Sequence, residues 1–288
     1  MAVASMTIAG WMETARHAGA DRLDAHLLLT KVLARSRSWL IAHDEEPLTG
    51  DQVATLDQLL TQRVQGVPMA YLLGEREFHG LTLKVTPDVL DPRPDTETLV
   101  DWALEILPPD THPRAHPRAA TVLDLGTGSG AIALALKAAR PHCQVWATDI
   151  SPAALRVAQD NAQRLGLEVT FSCRDWLEGL ADQRFDVIVS NPPYIDANDP
   201  HLENLHAEPR SALTPGLDGL RDLRTLVSTA GQHLTPGGWL LLEHGWDQSH
   251  AVGQALVRAG FEQVATRADL SGQHRCSGGR WLGAPQAS

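Results

Sequence analysis

The segment that most restricts this chain is Val122-Leu123-Asp124-Leu125-Gly126-Thr127-Gly128-Ser129-Gly130, followed by the apolar run Ala131–Ala139. A buried strand that passes through alternating glycines into a helix is the ligand-side turn of an open α/β sheet. Glycines there let the backbone turn sharply and approach a ligand with no Cβ in the way. Asp149 closes the next apolar segment, about 20 residues on, where an acid commonly binds a ribose hydroxyl. The pair points to a cofactor that contains a nucleoside. It leaves open which one, because Gly126-x-Gly128-x-x-Ala131 also satisfies the relaxed dinucleotide fingerprint.

Asp124 narrows the choice. A carboxylate just before the loop repels a pyrophosphate and suits a ligand that carries an amine. S-adenosylmethionine carries an amino group and a sulfonium. Asp175-Trp176, after the third strand, fits the same ligand: an indole can flank an adenine ring, and Asp175 can accept from its exocyclic amine.

From Thr121 onward the pattern alternates. Strands are expected at 121–125, 144–149, 169–172, 185–190, 239–243 and near 261–266, with helices at 131–139, near 220–234 and at 248–259. Another helix opens at Ser151-Pro152, an N-cap with proline at the first helical position, and stops before Gly166. Near-continuous apolar strands joined by crossover helices predict a doubly wound parallel α/β sheet.

Upstream the chain reads as helical. Asp21–Ser36 places Leu23, His26/Leu27, Thr30/Lys31 and Leu33/Ala34 on a mostly apolar stripe, and Thr49-Gly50-Asp51-Gln52 offers a cap for a helix through Val53, Leu56, Leu59/Leu60 and Val64. Residues 78–85 alternate around Gly80 and suggest a short hairpin or extended connector. Asp91-Pro92-Arg93-Pro94 is stiff, because the prolines fix φ. Asp95 or Thr96 can cap a helix through Leu99, Trp102 and Ile106. His112 and His116 are four apart, but the prolines between them forbid a chelating helical pair, so no metal site is expected.

With 24 Lys+Arg against 35 Asp+Glu, 24 − 35 gives a charge of −11 over 288 residues. That balance removes any general attraction to phosphate backbones or anionic membranes. Cys143, Cys173 and Cys276 form no CxxC pair and are odd in number, which favours reduced thiols. No secretory signal and no run of membrane-spanning length is apparent, so a cytoplasmic protein is expected.

Asn191-Pro192-Pro193-Tyr194 follows the fourth strand and so falls at the carboxyl edge beside the glycine loop. Methylating a planar amide or arylamine nitrogen is hard because its lone pair is delocalised. Acceptors that take both N–H groups orient that nitrogen and stabilise the positive charge that develops on it. Asn191 Oδ1 is one such acceptor and the Pro192 carbonyl a second. The prolines stiffen the turn, and Tyr194 offers a flat face to the substrate plane. The proton can leave after methyl transfer.

The glycine loop, Asp149 and NPPY together resemble a class I S-adenosylmethionine-dependent methyltransferase acting on a planar nitrogen. Further segments resemble the HemK-type (PrmC) protein-glutamine N5-methyltransferases: 70–78 (AYLLGEREF), Pro92-Arg93-Pro94-Asp95-Thr96-Glu97, Asn191–Ile195 and 241–246 (LLEHGW). The resemblance implies a Rossmann-like doubly wound domain at 95–288, a small all-helical domain at 1–74 that docks the substrate, and a hairpin-bearing connector at 75–94. It implies methyl transfer from S-adenosylmethionine to the glutamine of the Gly-Gly-Gln motif in class I peptide chain release factors, by a monomer with no direct nucleic-acid or membrane partner. By that resemblance Gly126, Thr127, Gly128, Ser129, Gly130, Asp149, Trp176 and Asn191 hold the cofactor. Asn191, Pro192, Pro193 and Tyr194 form the catalytic and substrate-binding amide pocket. Asp91 stands where the family carries a hydrophobic residue, which leaves the connector packing open.

Four other readings share parts of this pattern. A ribosomal-protein glutamine methyltransferase would carry a different segment at PRPDTE. An adenine N6-methyltransferase would need base flipping and a basic strand-binding surface, which the acid excess opposes. A nicotinamide oxidoreductase would leave NPPY unexplained, as would a non-catalytic translation adaptor. No role for Arg93, Glu97 or Glu243 follows from the sequence, nor does the choice among release factors.

Overall fold

The computed structural model describes residues 6–109 and 118–283; His112 and His116 lie outside them. The chain divides into two compact units, one reaching to Glu75 and including 204–207, the other formed by the remainder from Arg76.

The first unit is helical: α1 (Ile8–His17), α2 (Arg22–Leu33), α3 (Arg37–Ala42), α4 (Gly50–Val64) and α5 (Met69–Leu73). Thr7, Asp21, Ser36 and Thr49 each accept a backbone N–H in the first turn of the helix that follows. Such caps satisfy N–H groups that a helix start leaves unpaired. At Thr49 the cap is reciprocal, because the Gln52 side chain also accepts from the Thr49 N–H. Trp11, Leu28, Leu29, Leu40 and Leu56 form the centre of the core. The periodicity predicts Leu23 on the inner face of α2, but the helix turns that residue outward and buries Ala25, His26, Leu28 and Leu29. The run AHLLL is apolar on two adjacent faces, and packing against α1 and α4 selects between them.

At the boundary between the units stands a hairpin of β1 (Glu75–Phe78) and β2 (Leu81–Lys84), turned at His79-Gly80 with both residues at positive φ. A 3-10 turn at Pro94–Thr96 leads into α6 (Glu97–Ile106). Neither Asp95 nor Thr96 caps that helix: Thr96 already has helical φ and ψ, and its hydroxyl is engaged elsewhere.

There follow β3 (Thr121–Leu125), α7 (Ala131–Ala139), β4 (Gln144–Asp149), α8 (Pro152–Leu165), β5 (Thr170–Cys173), β6 (Phe185–Ser190), α9 (Arg210–Leu213), α10 (Arg221–Thr229), β7 (Leu234–Glu243), α11 (Ser249–Arg258), β8 (Glu262–Ala268) and β9 (His274–Trp281). The sheet order is β5-β4-β3-β6-β7-β9-β8. The first five of these strands run parallel, while β9 is antiparallel to both neighbours. The parallel sheet expected from the sequence is therefore corrected at one edge. β9 escapes a hydrophobic pattern because Gly278 and Gly279 occupy its middle. A Cβ on Gly278 would stand 2.5 Å from Leu241 Cδ2 and 2.8 Å from the Leu240 carbonyl oxygen. Tight packing, not β-propensity, selects glycine there.

From β3 the chain first moves outward to β4 and β5, then returns to add β6 and β7 on the other side. This reversal opens a crevice at the carboxyl ends of β3 and β6, the place where open α/β sheets bind ligands. Both strands are mostly apolar, with Leu123, Leu125, Ile188 and Val189 fully buried.

Candidate active site

The crevice is a cavity of about 760 Å3 lined by residues 126–129, Asp149, Trp176, Asn191, Pro193 and, from the connector, Pro92, Arg93 and Thr96, among others. Its first wall is made mainly of backbone. The N–H groups of Gly126 and Thr127 both donate to the Thr148 carbonyl at 2.9 Å, which ties the loop to the end of β4. Gly128 has φ of +55° and open space where a Cβ would be. Gly130 serves packing instead, since a Cβ there would meet Leu134 Cδ1 at 3.0 Å and Ala158 Cβ at 3.2 Å. Gly130 does not line the cavity, whereas Gly126, Thr127, Gly128 and Ser129 do.

Asp149 stands at the tip of β4 and braces this wall. Its Oδ2 accepts from the Gly128 N–H at 2.9 Å and its Oδ1 from the Ser151 N–H at 2.8 Å. Burial raises its carboxyl above the ordinary value, against the pull of those N–H donors. The Ile150 N–H also bonds this carboxylate, which still keeps acceptor capacity for a hydroxyl donor. Trp176 lies on the cavity with a left-handed φ of 47°, unusual for so bulky a residue. Its ring packs over Gly126, where a Cβ would come within 3.3 Å of Cζ3.

Asp124 is not on the cavity surface. It is fully buried under the loop, where Oδ2 accepts from Thr127 Oγ1 at 2.6 Å and from the Ala133 N–H at 3.2 Å. Its Oδ1 has no hydrogen-bond partner. Burial pushes this carboxyl up to about 7, outweighing those two donors, and the neighbouring Asp149 adds to the rise.

The opposite wall is made of side chains from distant parts of the chain. Asn191 sits just past β6, and its Nδ2 donates to Thr96 Oγ1 at 3.1 Å. The Thr96 hydroxyl is also hydrogen-bonded to Glu243 at the end of β7. Tyr194 donates its hydroxyl to Glu243 Oε1 at 3.2 Å. Pro193 lines the cavity, while Pro192 is buried and Tyr194 half-buried off the cavity surface. The flat face expected of Tyr194 is thus not part of the cavity lining. Arg275 reaches toward the same network, 3.4 Å from Asp95 and 3.3 Å from Asp269.

The connector supplies the rim. Arg93 lines the cavity and is paired with the buried Glu208 and with Asp91, which also lies 3.4 Å from Arg76. This explains an acid at position 91: it is enclosed by two guanidinium groups that an apolar residue would leave with one fewer partner. Glu97 points away from the cavity, where its carboxylate accepts from the His79 N–H at 3.0 Å.

The structure brings Gly126, Thr127, Gly128, Ser129, Asp149, Trp176 and Asn191 together on one cavity, and it adds Thr96, Glu243, Arg275 and Glu208, which the sequence does not single out. The only signals for these were the excess of polar residues in PRPDTE and an acid closing the apolar run of β7. Among the described residues no group of three or more side chains is placed to hold a metal, and no helix is long and apolar enough to cross a membrane.

Residues 12–74 match the PrmC N-terminal domain family and residues 98–216 the Methyltransferase small domain family. The chain is 51% identical over 264 residues to the release factor glutamine methyltransferase of Bordetella pertussis, covering 91% of this chain and 95% of that one. It is 45% identical to the protein of the same name in Escherichia coli, covering 90% and 92%. Among solved structures, a Pyrococcus furiosus methyltransferase aligns with a TM-score of 0.52 at 21% identity, over 71% of this chain and 90% of that one. A Thermus thermophilus 16S rRNA N2 G1207 methyltransferase, solved with AdoMet and guanosine, aligns with a TM-score of 0.51 at 21% identity, over 72% and 49%. These last two likenesses are of fold.

Proposed function

The chain belongs to the release factor glutamine methyltransferase family, and from that membership and the geometry of its cavity we propose that it methylates the side-chain nitrogen, N5, of the Gly-Gly-Gln glutamine in a class I release factor. The observation that carries this reading is the meeting of the glycine loop and Asn191 on one cavity. S-adenosylmethionine would supply an electrophilic methyl group on its sulfonium.

The residues present fit that cofactor. Gly128 leaves the loop open where a Cβ would intrude. Asp149 offers carboxylate lone pairs on the cavity wall, suited to ribose hydroxyls, and the Trp176 ring offers a flat face suited to adenine. Asp124 lies buried beneath the loop with Oδ1 unpartnered, and in its ionised form it favours an ammonium-bearing ligand over a pyrophosphate. Gly126, Thr127 and Ser129 complete the cradle, and Gly130 lets the following helix pack close behind it.

Asn191 Oδ1 and the Pro192 carbonyl would accept the two N–H groups of the glutamine amide. That fixes the nitrogen's position and favours the positive charge that builds as its lone pair leaves conjugation. Pro193 narrows the wall beside them, and Tyr194 supports the turn through Glu243. The proton is lost to solvent after transfer. The helical segment 1–74 would dock the release factor, the connector 75–94 would join the parts, and 95–288 would carry out transfer, in the cytoplasm and as a monomer.

Two measurements test this reading. S-adenosylmethionine, and not a nicotinamide dinucleotide, should raise the melting temperature. Labelled methyl should pass to an unmodified release factor and not to adenine in DNA or RNA; the reverse selectivity would contradict the reading.

A further inference from the structure

Asn191 serves as an acceptor only if its amide turns the oxygen, not the nitrogen, toward the cavity. The two ends of a carboxamide are nearly the same size, so the hydrogen bonds on its buried side decide between them. Here Nδ2 donates to Thr96 Oγ1. The Thr96 hydroxyl has one proton and is also bonded to Glu243. An ionised carboxylate can only accept, so that proton belongs to the Glu243 bond, and Thr96 has only lone pairs left for Asn191.

From this we infer that Thr96 and Glu243 are positioning residues, a relay that locks the amide of Asn191 with Oδ1 facing the substrate nitrogen. The inference deepens the glutamine-methylation reading and rests on it. A second feature supports it. Glu243 is 1% exposed and one of its oxygens, Oε2, has no hydrogen-bond partner, while the residues before it, Leu240, Leu241 and Leu242, are fully buried and apolar. An incompletely satisfied carboxyl in that setting is costly and contributes nothing to packing that a leucine would not.

The relay can also be reversed. The groups facing Glu243 are Arg275 and Cys276 from β9, Asp95 from the turn before α6, and Tyr194 after β6. Burial pushes Glu243 up to about 7, opposed by the Thr96 and Tyr194 hydrogen bonds and by Arg275, and aided by Asp95. Once protonated, Glu243 can donate to Thr96, which can then donate to Asn191. The amide turns over and presents N–H groups to a substrate that also presents N–H groups. Activity should therefore rise as pH increases through about 7.

The test uses the full-length enzyme. In wild type, the side-chain 15N–1H signals of Asn191, assigned by their loss in Asn191→Ala, should shift with a midpoint near pH 7. The shift should vanish in Glu243→Gln. With a release factor as substrate, Thr96→Val should lower kcat by about 10- to 100-fold with KM changed less than about 3-fold, and Thr96→Ser should restore it. Glu243→Gln should also lose the rise of kcat near neutral pH. A wild-type kcat in Thr96→Val, or Asn191 signals indifferent to both pH and Glu243→Gln, would overturn the relay. If Thr96→Val fails to fold, Glu243→Gln decides the matter by NMR alone. A wild-type enzyme that does not methylate glutamine would sink the proposed function instead, with the NMR titration still judging the relay.

Discussion

On one side of the cavity, Gly126, Thr127, Gly128 and Ser129 are shaped by their own backbone, by the Thr148 carbonyl and by Asp149, all drawn from a single βαβ segment. On the other side, Asn191 is held by Thr96, which is 95 positions away, and through it by Glu243 on another strand. The first wall needs a conformation that few residues can adopt; the second needs partners that only the finished fold supplies. Cofactor binding should therefore answer to local backbone changes, and turnover to deletions in a long-range polar network. Substitutions on the two walls should separate these effects.

The largest separation should come from Asn191→Ala. Removing the acceptor should lower kcat by about 10^2- to 10^3-fold, as loss of one preorganised transition-state contact does elsewhere. Calorimetric affinity for S-adenosylmethionine should stay within about 2-fold. An equal loss of both would place Asn191 in the cofactor half and erase the distinction.

Next in size is the pH dependence of stability. Glu243 and Asp124 are each pushed up to about 7 from ordinary values of 4.5 and 3.8. A folded-state pKa raised above the unfolded one gives stability that is complete below the unfolded value and lost as pH rises through the folded value. Thermal stability should thus decline between about pH 4 and 7. Glu243→Gln should flatten part of that decline and raise stability at pH 8 by about 1–3 kcal/mol, read from denaturant midpoints. A steeper decline in the variant would show that the carboxylate is stabilising when ionised.

The smallest effect should be that of Gly128→Ala. A Cβ at φ of +55° meets no neighbour, so the cost is conformational, about 1 kcal/mol. It should weaken cofactor binding by about 5- to 10-fold while kcat at saturation changes less than about 3-fold. A variant with normal affinity and poor kcat would reverse the assignment of the two walls.

The same contrast explains what the sequence disclosed. A βα turn is written within a short window, so β3, α7, β4 and the start of α8 are readable from apolar runs, glycines and the Ser151-Pro152 cap. Asp149 is readable from its interval. β9 is not, because its Gly278 answers to Leu241 and Leu240 on a strand 37–38 positions earlier. Thr96 looked like a helix cap and is instead a partner of Asn191, since a local signal cannot show when a distant contact takes its hydroxyl. Asp124 reads as an acid suited to an amine-bearing ligand, but the sequence does not show that it lies buried beneath the loop. The oddity of Asp91 was visible, whereas the ring of Arg76, Arg93 and Glu208 that accommodates it was not.

The central claim is that this cavity delivers one methyl group to a planar amide nitrogen held by Asn191. Mass spectrometry of a class I release factor, incubated with the enzyme and S-adenosylmethionine, reads this directly. One methyl group on the glutamine side chain of the Gly-Gly-Gln peptide, absent when Asn191→Ala replaces the wild type for the same time, is the predicted result. A methyl group on any other residue, or full modification by Asn191→Ala, would contradict it.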